Sequence, residues 1–156
     1  AGSLGMGLSF GMGCSIAASL DGSARTSWVM LGDGELQEGQ VWEAVMAANH
    51  HEIGNLKVIV DRNGIQNDDF CEVQMRVFDV AEKFIAFGWA VKEIDGHDMS
   101  AVVEAIDWAD SVTEGPACIV MHTVKGKGVS FMENNPKFHG AAPTPEQYEL
   151  AKEELA

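Results

Sequence analysis

The stretch Trp28-Val29-Met30-Leu31-Gly32-Asp33-Gly34 joins an apolar run to a sharp turn that carries one carboxylate. A continuous apolar run, unlike an alternating one, is typical of a strand buried on both faces, as in a parallel sheet. The glycines allow the backbone to turn and to approach a ligand closely. The stretch therefore predicts a strand over residues 26–31 with Asp33 just past its carboxyl end.

A second apolar run, Leu56-Lys57-Val58-Ile59-Val60, leads through Asp61 to Asn63, about thirty residues after Asp33. This distance corresponds to one strand–helix–strand unit, which places two parallel strands side by side. The two side chains are therefore predicted to emerge together at one edge of the sheet. Without Asn63, Gly32-Asp33-Gly34 would be explained equally well as an ordinary turn.

The rest of the chain repeats this alternation. It predicts an α/β fold with a mostly parallel sheet flanked by helices, in which ligands bind beyond the carboxyl ends of the strands. We expect a single domain over residues 1–156, with residues 141–156 forming a C-terminal surface helix capped by Thr144. Gly11 and Gly13 are expected to let the first helix pack closely. The other predicted elements are helices over residues 8–20, 38–49, 77–87 and 99–109 and strands over residues 56–60, 89–94 and 117–123.

The charge balance restricts the class of ligand. The 156 residues contain 24 Asp and Glu against 10 Lys and Arg, a net charge of −14. This excess disfavours nucleic acid and anionic membrane surfaces as partners. An anionic ligand would need local help from a metal ion, helix N-termini or a few lysines.

Cellular location is predicted from what the sequence lacks. No run is long and apolar enough to cross a bilayer, and the first residues do not resemble a signal peptide. The cysteines Cys14, Cys71 and Cys118 are widely spaced, so neither a disulfide framework nor a zinc site is expected. We predict a cytoplasmic protein whose chain begins within a domain, which leaves the fold N-terminally incomplete.

Asp33 and Asn63 together can bind a hard cation. Mg²⁺ prefers six oxygen ligands and takes few of them from protein. Asp33, Asn63 and a backbone carbonyl near Ile65 would supply three, leaving positions for diphosphate oxygens and a water. The segment Lys125-Gly126-Lys127-Gly128 could form an anion-binding nest, although a solvated loop explains it equally well.

Several motifs resemble those of thiamine diphosphate enzymes, and of the transketolase family in particular. Gly-Asp-Gly followed by Asn at this distance is the signature of thiamine diphosphate enzymes. The nearest resemblance is to the N-terminal subunit of bacterial transketolases that are divided between two chains. The segments that resemble the family's motifs, in the family's order, are Gly2–Gly7, Asp61–Ile65, Ile94–Asp98, His122–Gly128 and Asn135–Gly140.

The resemblance implies a diphosphate-binding domain of the thiamine diphosphate-binding fold and a role for individual residues. Asp33, Asn63 and the carbonyl of Ile65 would bind Mg²⁺, and Gly34 would pass close to the diphosphate. The other implied roles belong to Gly2, Ser3 and Leu4 at the cofactor's aminopyrimidine, to His139 as proton carrier beside the diphosphate and the donor sugar, and to Glu38 at a subunit interface near the active site.

The implied reaction moves a two-carbon ketol unit from a ketose phosphate to an aldose, as in the pentose phosphate pathway. In the family, the glutamate that activates the cofactor lies on a pyrimidine-binding domain, and this sequence contains no such domain. The chain is therefore expected to be inactive alone and to need a C-terminal transketolase subunit, or the missing half of its own chain, that carries it.

Two departures and several alternatives remain open. Ser3 stands where many members of the family have proline, and Asn67 where an apolar residue often meets the cofactor. The alternative functions are a 1-deoxyxylulose-5-phosphate synthase, a 2-oxo acid dehydrogenase subunit, a Mg²⁺- and phosphate-binding α/β subunit without thiamine, and a partner that merely stabilises a complex.

Overall fold

Four parallel strands form the centre of the fold. The computed structural model describes residues 2–156. No helix in this range is both long enough and apolar enough to cross a membrane. The strands are β1 (Ser27–Gly32), β2 (Leu56–Arg62), β3 (Ala90–Asp95) and β4 (Ala117–His122), and the helices are α1 (Met6–Leu20), α2 (Gly39–His50), α3 (Cys71–Gln74), α4 (Val80–Ala86), α5 (Met99–Ser111) and α6 (Pro145–Glu154).

The strand order is β1-β2-β4-β3, which confirms the predicted α/β fold with a parallel sheet. The larger apolar cluster joins the sheet to α1, α2 and α4, and a smaller cluster joins it to α5. In the register, Gly32 pairs with Asp61 and Arg62 pairs with His122. The segments that follow β1, β2 and β4 therefore meet at one edge of the sheet.

β1 differs from its prediction as a strand buried on both faces. Trp28 and Met30 are exposed, Met30 by 66%. Both lie on one face of the strand, while Val29, on the other face, packs against α1. The helix on the face of Trp28 and Met30 is α5, and it packs instead against β3 and β4. The apolar run thus hid a strand with only one well-covered face.

Two predicted boundaries also shift. The helix predicted over residues 77–87 begins at Val80, because the Asp79 side chain accepts a hydrogen bond from the first turn and caps the helix there. Trp89, predicted within a strand, lies just before β3. The predicted Thr144 cap of α6 is present and forms a capping box, and no residue of α6 is buried.

Gly11 and Gly13 of α1 give opposite predictions for substitution by alanine. A Cβ at Gly11 would overlap a methyl group of Val29, whereas nothing lies within 4 Å of a Cβ at Gly13. We expect Gly11→Ala to lower the free energy of unfolding by about 2 kcal/mol through overpacking. We expect Gly13→Ala to raise it by about 1 kcal/mol through helix propensity. Urea unfolding of both variants tests this, and shifts of the same sign would contradict it.

Candidate functional site

A cavity of about 420 Å³ lies at the carboxyl-end edge of the sheet. The segments after β1, β2 and β4 line it, together with the loop before α1. Gly2 and Ser3 are exposed and lie outside this lining. The residues with predicted site roles that line it are Leu4, Asp33, Gly34, Glu38, Asn63, Ile65 and His139.

Asp33 is almost completely buried, with 1% of its surface accessible. Its Oδ1 accepts hydrogen bonds from the Gly34 N–H at 2.8 Å and from the Cys71 thiol at 3.4 Å. Its Oδ2 accepts from the Gly64 N–H at 2.5 Å and from Arg62 Nη1 at 2.9 Å. Four donors thus hold the carboxylate in one position and offset the cost of burying its charge.

Arg62, at the end of β2, is a site residue that the sequence reasoning missed. Its guanidinium bridges two carboxylates, with Nη1 2.9 Å from Asp33 Oδ2 and Nη2 3.2 Å from Glu72 Oε1 of α3. The strand register could have revealed it, since pairing of Gly32 with Asp61 brings the next residues, Asp33 and Arg62, side by side. Arg62 supplies the positive charge that the buried carboxylate requires.

Asn63 is held by two hydrogen bonds within its own loop. Its Nδ2 donates to Asp61 Oδ2 at 2.7 Å, and its Oδ1 accepts from the Ile65 N–H at 3.0 Å. Asp61 also accepts a hydrogen bond from the Thr123 hydroxyl, just beyond β4. These bonds anchor Asn63 to two strand ends, and Asn63 lines the same cavity as Asp33.

Glu35 joins two loops of the cavity and was also missed. Its Oε1 accepts a hydrogen bond from the Gly5 N–H at 2.9 Å, and its Oε2 accepts from the Gly32 N–H at 3.2 Å. The loop that carries Leu4 is thereby fixed to the end of β1. No pattern of residue types could have indicated this, because both partners of Glu35 are backbone groups.

The long loop after β4 brings His139 and Lys125 to the cavity. A short 3₁₀ turn, Pro136–Phe138, precedes His139 and is capped by the side chain of Asn135. The side chain of His139 is exposed, as is that of Glu38, which lies directly before α2. Both can therefore meet a ligand or a second chain at the cavity rim.

Cys71 contributes a thiol rather than a nucleophile. Burial raises its pKa to about 12, and the negative charge of Asp33 adds to the shift. The group is therefore protonated at neutral pH, as its hydrogen bond to Asp33 requires.

The charges around the cavity suit an anion only with a cation beside it. The lining contains one lysine, Lys125, against five carboxylates, Asp33, Glu35, Glu38, Asp61 and Asp68. A diphosphate entering alone would be repelled, whereas a divalent cation bound by oxygens would reverse the local field. Across residues 2–156, no three His, Cys, Asp or Glu side chains are grouped so as to hold a metal. Asp33 would thus bind the cation with an amide and a carbonyl oxygen, a donor set that fits Mg²⁺.

Gln66 also points to a ligand in this cavity. Its Oε1 is buried and finds no hydrogen-bond donor in the described part of the chain. Gly34 allows this close packing, because a Cβ there would lie 2.8 Å from Gln66 Cβ. An unpaired buried acceptor is costly, and a water held by a bound cation would supply the missing donor.

A larger cavity, of about 760 Å³, lies at the opposite edge of the sheet. In its wall, buried Lys57 donates hydrogen bonds to the carbonyls of Gly54 at 2.7 Å and Val112 at 2.5 Å. Burial lowers the pKa of Lys57, and the charge of Asp110 opposes that shift. These bonds tie the start of β2 to the end of α5, which is a structural role.

Comparison with known proteins gives consistent matches. The family model described as the thiamine diphosphate-binding domain of transketolase matches residues 1–156. One of the two subunits of the apulose-4-phosphate transketolase of Phocaeicola vulgatus is 40% identical over 99% of this chain and 55% of its own length. A 6-deoxy-6-sulfo-D-fructose transketolase subunit of a Clostridium species is 36% identical over 99% of this chain and 56% of its own length. The chain thus spans about half the length of these curated relatives.

Solved structures agree with this result. The transketolase of Leishmania mexicana matches with a TM-score of 0.89 at 29% identity, over 97% of this chain and 24% of that one. The transketolase of Campylobacter jejuni matches with a TM-score of 0.85 at 30% identity, over the same shares.

Proposed function

We propose, because this chain belongs to the transketolase family of thiamine diphosphate-binding domains, that it binds thiamine diphosphate with Mg²⁺ and takes part in ketol transfer between sugar phosphates. One observation carries the proposal. The buried carboxylate of Asp33 and the side chain of Asn63 meet in one cavity at the carboxyl ends of two neighbouring parallel strands.

The metal would be held by Asp33, Asn63 and the carbonyl of Ile65. The acidic lining supports this assignment, since the diphosphate needs a cation to enter such a cavity. Gly34 would lie along the diphosphate, and Leu4 would lie by the aminopyrimidine, with Gly2 and Ser3 in the same loop. Lys125 would add a second positive charge at the rim.

When bound, the cofactor supplies the carbon nucleophile and the electron sink that carry a two-carbon unit. The chain's own contribution is to orient the cofactor and to move protons. His139 would exchange protons with substrate hydroxyls at the cavity rim, since imidazole can titrate near neutral pH. Exposed Glu38 would face the second chain.

A partner is part of the proposal. Two of the relatives are named as subunits of transketolases, and this chain covers about half of each. We propose that a chain or domain with a pyrimidine-binding fold completes the site at the rim formed by Glu38 and His139. Ketol transfer would then occur only in the assembled complex.

Titration with thiamine diphosphate tests the proposal. Trp42 Nε1 donates a hydrogen bond to the carbonyl of Leu36 at 2.8 Å, next to the turn that begins at Gly34. We expect cofactor binding in the assembled complex to quench tryptophan fluorescence when Mg²⁺ is present and not when EDTA is present. Absence of quenching in both conditions would leave a thiamine-free phosphate-binding subunit.

The substrate class is tested in the same complex. Turnover with xylulose 5-phosphate and an aldose phosphate is expected of a transketolase. Turnover that requires pyruvate would instead indicate a 1-deoxyxylulose-5-phosphate synthase or a 2-oxo acid dehydrogenase subunit.

A further inference from the structure

Arg62 holds the buried carboxylate of Asp33 with one nitrogen and the carboxylate of Glu72 with another. We infer that Arg62 is a displaceable counter-ion of the metal site: it neutralises Asp33 until a divalent cation binds, and then moves over to Glu72. This inference rests on the proposed role of Asp33 as a metal ligand.

The carboxylate of Asp33 has no free position for a cation. Each of its oxygens accepts two hydrogen bonds, from Gly34 and Cys71 on one side and from Gly64 and Arg62 on the other. A carboxylate has about four acceptor sites. A metal ion that binds directly must therefore displace at least one donor.

Arg62 is the donor best placed to leave. The N–H groups of Gly34 and Gly64 belong to the backbone at the two strand ends and cannot withdraw without breaking the turns. Cys71 is fully buried. Arg62 has a long side chain that is 18% exposed, and it already contacts a second carboxylate, Glu72, which is 52% exposed.

Charge favours the same exchange. A guanidinium and a divalent cation on one carboxylate would repel each other at short distance in a poorly hydrated cavity. A shift of Arg62 to Glu72 keeps both positive charges paired. Cation binding is thereby coupled to the position of the α3 segment, which carries Glu72.

The test measures binding of Mn²⁺ alone, by electron paramagnetic resonance, to the protein purified with the subunits that accompany it. We expect Arg62→Met to bind Mn²⁺ about tenfold more tightly, because one charge-assisted hydrogen bond no longer has to be displaced. We expect Glu72→Gln to bind about threefold more weakly, because Arg62 loses its second partner. Weaker or unchanged binding by Arg62→Met would overturn the inference.

A double variant separates exchange from simple electrostatics. If Glu72 acts through Arg62, Glu72→Gln has no further effect in the Arg62→Met background; an equal effect in both backgrounds would overturn the inference. Arg76→Met is the matched control, since Arg76 lies 3.6 Å from Glu72 but does not contact Asp33, and its Mn²⁺ affinity should stay within about twofold of the parent.

Two further variants guard against misfolding and against a wrong metal assignment. Should Arg62→Met fail to fold, the loss of affinity in Glu72→Gln decides the question, because that side chain is half exposed, and unchanged affinity there overturns the inference. Asp33→Asn distinguishes the metal site from the exchange at it. Mn²⁺ binding that survives Asp33→Asn refutes the metal site itself, whereas loss of binding there with no effect of Arg62→Met refutes only the exchange.

Discussion

Asp33→Ala is expected to abolish the Mg²⁺-dependent binding of thiamine diphosphate, lowering the cofactor's affinity by at least about a hundredfold. This magnitude follows from the effect of removing groups that merely support a metal ligand, which already costs roughly 10- to 100-fold. Asp33 is also the carboxylate that four donors hold in place. Isothermal titration of the assembled complex with cofactor, with and without Mg²⁺, provides the measurement.

Two variants control for loss of structure in this experiment. Asp33→Asn keeps an oxygen that can accept the Gly34 N–H, so it should fold while still losing the metal. Asp21→Ala removes an exposed carboxylate that follows α1, far along the chain from the cavity, and should bind cofactor as the parent does. An unchanged affinity in both Asp33 variants would refute the metal assignment.

His139→Ala is expected to reduce turnover by about 10²- to 10⁴-fold, the usual contribution of a positioned acid–base group. The side chain is exposed at the rim of the cavity, so its removal should leave folding, assembly and cofactor affinity intact. Steady-state kinetics with a ketose phosphate donor gives the turnover, and analytical ultracentrifugation gives the assembly.

The matched control is His51→Ala, since His51 is exposed near the opposite edge of the sheet. Its turnover should equal that of the parent. Parental turnover in His139→Ala as well would remove His139 from the chemistry and would favour a different proton carrier, such as one supplied by the second chain.

The strands were predictable because their apolar runs are long and end in distinctive polar turns. The run that ends in Asn63 forms the central strand β2, and its neighbour ends in Asp33, so the meeting of these two residues followed from parallel topology alone. The C-terminal helix was equally readable, because Thr144 and Pro145 form a standard start.

What could not be predicted depends on contacts between distant parts of the chain. The exposure of Met30 reflects which helix covers which part of the sheet, and no local pattern encodes that. Arg62 required the exact strand register, and Glu35 bonds to backbone groups that every residue carries. Its neighbour Asp33 was found because a carboxylate in a glycine turn is visible in the sequence.

The carboxylate of Glu35, shared between the N–H groups of Gly5 and Gly32, has a consequence for how tightly a ligand can be held. Two loops that would otherwise fluctuate independently are immobilised relative to each other when the chain folds. A cofactor that spans both loops therefore meets a preorganised surface, and little conformational entropy is lost on binding. Cutting this brace should be felt mainly as faster dissociation, with the contacts themselves unchanged.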